Sequence, residues 1–232
     1  MKRAYQKAAS TRLEAGFGVT LDGKPLSTLM QRPIAVPTLA LAEAIAAEWQ
    51  EQGEEVRPHS MPLTQLAATA LDRVADRREE VIDELAAYGP TDLLCYRTDQ
   101  SVELARRQAL SWQPVLDWFA LRFDAPLTVT LGVIPKAQSP AALAALRTAV
   151  AQRDFWELSA LALATHAAGS IVLALALAEG QIDAAGVWSL SLMDELFQAE
   201  QWGDDPQASA RRQSIQQDLL SAERFLKLLR QG

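Results

Sequence analysis

The sequence lacks the residues that stabilise many secreted proteins. It has a single cysteine, Cys95, and no asparagine, so it can form no internal disulfide and has no acceptor for N-linked glycans. It also has no run of cysteines that could hold a structural zinc ion, and its two histidines lie far apart. These absences favour a reducing, intracellular compartment and a protein without a bound metal.

Basic residues are also scarce relative to acidic ones. The 232 residues include 22 Lys and Arg against 29 Asp and Glu, which gives a net charge of −7. Because clustered Lys and Arg supply most of the affinity for phosphate backbones, we expect no nucleic-acid partner. The hydrophobic content of 49% is high enough for a folded core and excludes intrinsic disorder.

The longest stretch without charge is a poor candidate for a membrane span. Residues 158–178 lack charged side chains but contain Ser, Thr, His and Gly, and Gly169-Ser170 predicts a break between two buried helices. Residues 1–12 are basic but lack the apolar core of a secretory signal. We therefore expect no membrane span and no cleaved targeting segment.

The periodicity of apolar residues changes along the chain. Residues 17–21 alternate and are followed by Asp22-Gly23, a strong signal for a tight hairpin. Helical spacing dominates from residue 38 onward, with an interruption expected at Pro114, a strand expected at 127–134 and one continuous helix expected at 183–199. We predict an α+β fold, with a small β-rich N-terminal domain at 1–60 and a larger all-helical domain at 61–232.

Familiar signatures of catalysis are missing. The sequence has no glycine-rich phosphate loop, no Gly-x-Ser-x-Gly and no Ser-x-x-Lys. Cys95 lies between apolar neighbours, which raise the pKa of a thiol. Asp194 and Glu195 are adjacent on a predicted helix, so their carboxylates point in different directions.

Two alternatives remain open from the residues alone. One is an enzyme with an unrecognised polar site near Tyr88, Asp92, Arg97 and Asp194, which would require these groups to converge in a pocket. The other is a peripheral membrane adaptor, which would need residues 158–178, or a basic face of the last helix, to be exposed.

An ordered set of short motifs resembles one known family. The set begins with FGVTLDGK at 17–24 and PIAVPT at 33–38, continues with MPLT at 61–64 and TDLLCYR at 91–97, and ends with EQWG at 200–203. In this order and spacing, along nearly the whole chain, the motifs are similar to those of the "ATP twelve" chaperones. These proteins are assembly factors for the alpha subunit of F-type ATP synthase.

The resemblance implies both a fold and a function. It implies a small β-rich domain joined to a helical one, and a chaperone that is not an enzyme. Such a chaperone binds the unassembled alpha subunit, shields its apolar interface from aggregation and releases it to the beta subunit. The resemblance further implies a bacterial-type, cytoplasmic member with no cofactor and no small-molecule substrate.

We expect the partner to bind near the polar turn that follows Trp202. Tryptophan is enriched at protein interfaces, and packing in the core is the alternative role for this side chain. The resemblance also draws attention to two departures from the family pattern. Leu29 stands where members usually carry a proline, and Gln207 stands where they carry an acidic residue linked to function. The candidate partner-binding residues are Asp194, Glu195, Trp202, Gly203, Asp204, Asp205 and Gln207.

Overall fold

The chain forms two units, each with its own buried apolar side chains, in a computed structural model that describes residues 2–231. The N-terminal unit takes residues up to 78, together with 154–160 and those from 224 onward. The helical unit takes residues 79–153 and 161–223. The domain boundary after residue 60 stays a prediction.

An antiparallel sheet lies in the N-terminal unit. Strand β2 pairs with β1 along its whole length, and with both β3 and β4 through shorter stretches. Asp22 and Gly23 have φ of 48° and 80°, as a two-residue hairpin turn with positive φ at both positions requires. The hairpin predicted from the sequence is therefore confirmed. The strands are β1 Ala8–Arg12, β2 Phe17–Leu21, β3 Lys24–Pro25 and β4 Ala35–Val36.

Two helices, α1 Leu39–Gln50 and α2 Pro62–Thr69, complete the early part of this unit. The hydroxyl of Thr38 accepts a hydrogen bond from the Leu41 amide and begins α1. Helix α2 passes directly into a π-helical segment at Ala70–Val74. A 3-10 turn at Pro58–Ser60 precedes α2.

The remainder of the described chain is mainly helical. A short parallel pair, β5 Tyr96–Arg97 and β6 Thr130–Leu131, lies within this otherwise helical part, after 3-10 turns at Gly89–Thr91 and Leu93–Cys95. The fold is α+β, as predicted. The helices are α3 Arg78–Ala86, α4 Val102–Phe123, α5 Pro140–Ala151, α6 Phe155–Ala168, α7 Ile171–Glu179, α8 Ala184–Ser191, α9 Met193–Trp202 and α10 Pro206–Leu229.

Helix α7 is the most apolar element of the helical unit's core. Residues 171–178 are all buried. Gly169 separates α7 from α6 with a φ of +65°, and the Ser170 hydroxyl accepts from the Leu173 amide, which begins the new helix. The predicted break at Gly169-Ser170 is confirmed. Among the helices of residues 2–231, none combines the length and apolarity needed to cross a bilayer.

Three expectations about single elements are wrong. Helix α4 continues through Pro114, which lies on the exposed side where the carbonyl left without an amide donor can bond to water. The strand expected at 127–134 shrinks to β6, because β5 offers only two residues to pair with. The helix expected at 183–199 is divided between α8 and α9 near Leu192.

Candidate functional site

The turn between α9 and α10 carries most of the predicted partner-binding residues. Gly203 ends α9 with a φ of +89°, a conformation that side chains with a Cβ rarely adopt. Asp205 accepts a hydrogen bond from the Ala208 amide at 2.8 Å, and Pro206 occupies the start of α10, where no amide donor is needed. The end of α9 and the start of α10 therefore both fix the backbone of the turn between them.

A surface cleft of about 380 Å³ opens beside this turn. Its lining includes Glu195, Ala199, Trp202, Asp204 and Asp205. The Trp202 side chain is 80% exposed. An exposed tryptophan beside carboxylates is a common feature of protein-binding surfaces, because it buries a large area when a partner arrives.

Arg212, which sequence reasoning did not place at the site, organises the carboxylates of the cleft. Its side chain is only 8% exposed, forms an ion pair with Asp204 and lies 4.0 Å from Glu195. The Trp188 indole N–H donates to the Arg212 carbonyl at 2.9 Å and fixes its backbone. Because Arg212 is buried, it does not belong to an exposed basic face of α10.

Asp204 is held in its charged form within the cleft. Hydrogen bonds from the Ser209 hydroxyl and the Arg212 guanidinium lower the pKa of Asp204. Arg211 forms an ion pair with Glu195 at 2.5 Å. The cleft thus presents ordered negative charge beside an aromatic ring.

Two predicted site residues lie outside the cleft. Asp194 accepts a hydrogen bond at 2.8 Å from the side-chain amide of Gln108, which lies on α4. Its carboxylate therefore points away from that of Glu195, as expected for adjacent helical positions. Gln207 is exposed on the first turn of α10 but does not line the cleft. Glu195, Trp202, Gly203, Asp204 and Asp205 are the residues that the structure brings together.

Asp92 and Tyr88, two groups of the alternative enzymatic site, have structural partners. Asp92 is fully buried and accepts from the Ser170 hydroxyl at 2.9 Å and the Val172 amide at 3.2 Å, so it holds the start of α7. Burial raises its pKa to about 6. Tyr88 packs against the edge of the His166 ring, with centroids 5.8 Å apart.

Arg97 and Asp194, the other two groups, meet through one glutamine. The Arg97 guanidinium donates to the Gln108 carbonyl at 3.2 Å and lies over the Trp112 ring at 5.0 Å. The Gln108 side chain donates to Asp194 and accepts from the Thr98 amide at 2.8 Å. This network joins α4, α9 and the strand that carries Arg97.

Cys95 and the potential metal ligands complete the search for chemistry. Burial raises the pKa of the Cys95 thiol to about 12, which leaves it a poor nucleophile. Within the part of the chain that the structure describes, no group of three or more His, Cys, Asp or Glu side chains is placed to hold a metal ion.

Solved structures share this architecture over the full length of the chain. Atp12 from Paracoccus denitrificans has 43% sequence identity and a TM-score of 0.94, with 99% of this chain and 98% of that chain covered. The Atu1473 protein of Agrobacterium tumefaciens has 36% identity and a TM-score of 0.93, with 99% and 86% covered. These identities are high enough to indicate common ancestry as well as a common fold.

Sequence comparison defines the class and then the family. Residues 2–120 match the family described as ATP12 chaperone protein. The mitochondrial protein atp12 of Schizosaccharomyces pombe is 24% identical over 214 residues, which cover 87% of this chain and 74% of that protein. The fold and its relatives thus define a chaperone. This chain belongs to the ATP12 chaperone family, and the resemblance noted from its motifs is confirmed.

Proposed function

We propose that this chain binds the unassembled alpha subunit of F-type ATP synthase, shields its apolar interface and releases it to the beta subunit. Family membership supports a role in ATP synthase assembly. The observation that carries a binding role is the cleft beside Trp202, where an indole ring that is 80% exposed stands among ordered carboxylates.

The physical need for such a protein follows from subunit interfaces. The surface that an obligate partner covers resembles one half of a divided core, and it aggregates readily while the partner is absent. A chaperone can cover that surface and lose it by mass action to a partner that binds more tightly. This mechanism needs no nucleotide and no catalytic step.

We assign the client contact to Glu195, Trp202, Gly203, Asp204 and Asp205, which we term the acidic turn. Trp202 supplies the apolar anchor, and Glu195, Asp204 and Asp205 supply the negative rim, with Gly203 shaping the turn. Asp194 and Gln207 lie outside the cleft. Gln207 is exposed on the first turn of α10, where a partner can reach it. A negative rim favours a client surface rich in Lys and Arg and contributes to specificity and association rate.

We further infer that the protein is not an enzyme. Asp92 and Arg97 are buried and Asp194 is half-buried, and their bonds hold a helix start and join elements, which accounts for their placement without a substrate. Tyr88 packs on a neighbouring ring. The cytoplasmic location expected from the sequence stays a prediction.

An aggregation assay tests the role of the cleft. Purified alpha subunit diluted from denaturant is expected to scatter less light when the wild-type chain is present. Because Trp202 is exposed, Trp202→Ala should leave the unfolding midpoint unchanged but reduce protection by about tenfold in effective concentration. Leu121→Ala, at a leucine that is 88% exposed on α4, is the matched control and should protect like wild type. Equal protection by Trp202→Ala and wild type would remove the cleft from the proposal.

A further inference from the structure

A loop of the N-terminal unit presents two consecutive apolar side chains to solvent. Leu29 is 98% exposed and Met30 is 65% exposed. Single exposed hydrophobic residues are common, but neighbouring ones beside an apolar cleft form a patch that usually marks an interaction surface.

The loop is held rigidly in this exposed form. The Thr28 amide donates to the Arg32 carbonyl at 2.8 Å, and the Gln31 amide donates to the Thr28 carbonyl at 3.0 Å. Gln31 adopts a φ of +62°, which is uncommon for a residue with a side chain. The Thr28 hydroxyl donates to Asp72 at 2.7 Å.

The π-helical segment at Ala70–Val74 supplies the anchor for the loop. The Ala75 amide donates to the Ala70 carbonyl at 2.9 Å, the wider spacing of a π-helix, which disturbs the regular pairing of carbonyls in that turn. The Leu71 carbonyl accepts instead from the Arg32 guanidinium, which also forms an ion pair with Asp76. Irregular turns of this kind often occur at functional sites.

An apolar cleft of about 340 Å³ begins beside Leu29. None of its lining residues is charged, and they include Ile34, Trp49, Val56 and Met61. Beside the loop, the Arg32 guanidinium forms an ion pair with Asp76, and Asp72 accepts a hydrogen bond from the Thr28 hydroxyl. The lining of the cleft itself offers a partner shape and apolar area but no charged side chain.

From this surface we infer that Leu29, Met30 and the adjacent cleft, which we term the Leu29 platform, bind an uncharged apolar segment of the unassembled alpha subunit. The inference rests on the proposed function and adds a second contact to the acidic turn. An uncharged lining matches an apolar interface segment and disfavours nucleotides, anions and acidic peptides. The net charge of −7 opposes the pairing of two copies of this chain, which leaves the client as the occupant.

Binding of purified alpha subunit to the full chain tests the platform. The double variant Leu29→Glu/Met30→Glu should raise the Kd for alpha about tenfold or more, because both side chains would carry a buried charge into the interface. Its thermal unfolding midpoint should match wild type, since both positions are exposed. Leu121→Glu, at a leucine of similar exposure in the helical unit, is the matched control and should bind alpha like wild type.

A photoreactive side chain gives an independent readout. Benzoylphenylalanine at position 29 should crosslink to alpha, whereas the same group at position 121 should not. If the double variant binds alpha like wild type while Trp202→Ala binds weakly, the platform is overturned and the proposed function stands. If the wild-type chain does not bind alpha, both the platform and the proposed function are overturned. A concentration-dependent dimer that the double variant abolishes would overturn the inference in favour of a second copy as the occupant.

Discussion

Burial sets the protonation of Asp92. Its carboxyl group is fully buried and is held by the Ser170 hydroxyl and by amides at the starts of two helical segments. Hydrogen bonds favour the charged form and burial opposes it, and burial prevails, so that the pKa rises from 3.8 to about 6. At neutral pH the folded chain therefore holds a carboxylate at an energetic cost.

Linkage predicts how Asp92 changes stability with pH. Between about pH 4 and pH 6 the folded state retains a proton that the unfolded state has lost, so the free energy of unfolding falls as pH rises. The decrease in the free energy of unfolding due to Asp92 is complete above the pKa that Asp92 has in the folded state, and it amounts to about 3 kcal/mol. Urea unfolding of wild type and Asp92→Asn from pH 4 to pH 7 should show wild type losing stability relative to the variant. Parallel curves would contradict the assignment.

Helix α2 begins without a side-chain cap of its own and depends on a residue from α1. Met61 precedes the helix, and its side chain makes no hydrogen bond to the first amides. The buried carboxylate of Glu48 accepts from the Leu63 and Thr64 amides, both at 2.8 Å. It acts as a remote cap that ties the two helices together.

Replacing Glu48 tests this remote cap. Glu48→Gln keeps the shape but turns an amide N–H₂ toward one of the two helix amides, leaving a buried donor unsatisfied. We expect a loss of about 1–3 kcal/mol in the free energy of unfolding. Glu43→Gln, at an exposed position of the same helix, is the matched control and should change stability by less than about 0.5 kcal/mol. Equal effects of the two variants would refute the capping role.

Local signals predicted some elements, and tertiary packing decided the others. Asp22-Gly23 and Gly169-Ser170 act through their own backbone conformations, so the sequence was sufficient for the hairpin and the helix break. Pro114 is tolerated because it lies on the solvent side of α4 while Trp112 and Phe119 are buried. At the candidate site, the acidic turn was visible in the sequence, but the burial of Arg212 and the exposure of Trp202 depend on packing between α9 and α10.

Charge distribution is the property of the whole molecule that bears most on client capture. The chain carries −7 overall, and the cleft beside Trp202 adds a local group of carboxylates. Opposite charges on the client would speed encounter, and salt would screen this attraction.

Salt dependence tests the electrostatic part of the account. Raising the salt concentration from about 50 mM to about 500 mM should slow association with alpha by about tenfold, while dissociation changes little. Rapid-mixing measurements with a fluorescently labelled alpha subunit would give both rates. An association rate that does not depend on salt would exclude steering by the acidic turn.

We propose above that this chain holds the free alpha subunit and yields it to the beta subunit. Co-expression with the cognate alpha subunit, followed by size-exclusion chromatography of the soluble fraction, tests it most directly. We expect alpha to remain in the soluble fraction and to elute with this chain, and we expect added beta subunit to displace the chain. Unchanged recovery of alpha, with no shared elution at micromolar concentrations, would contradict it.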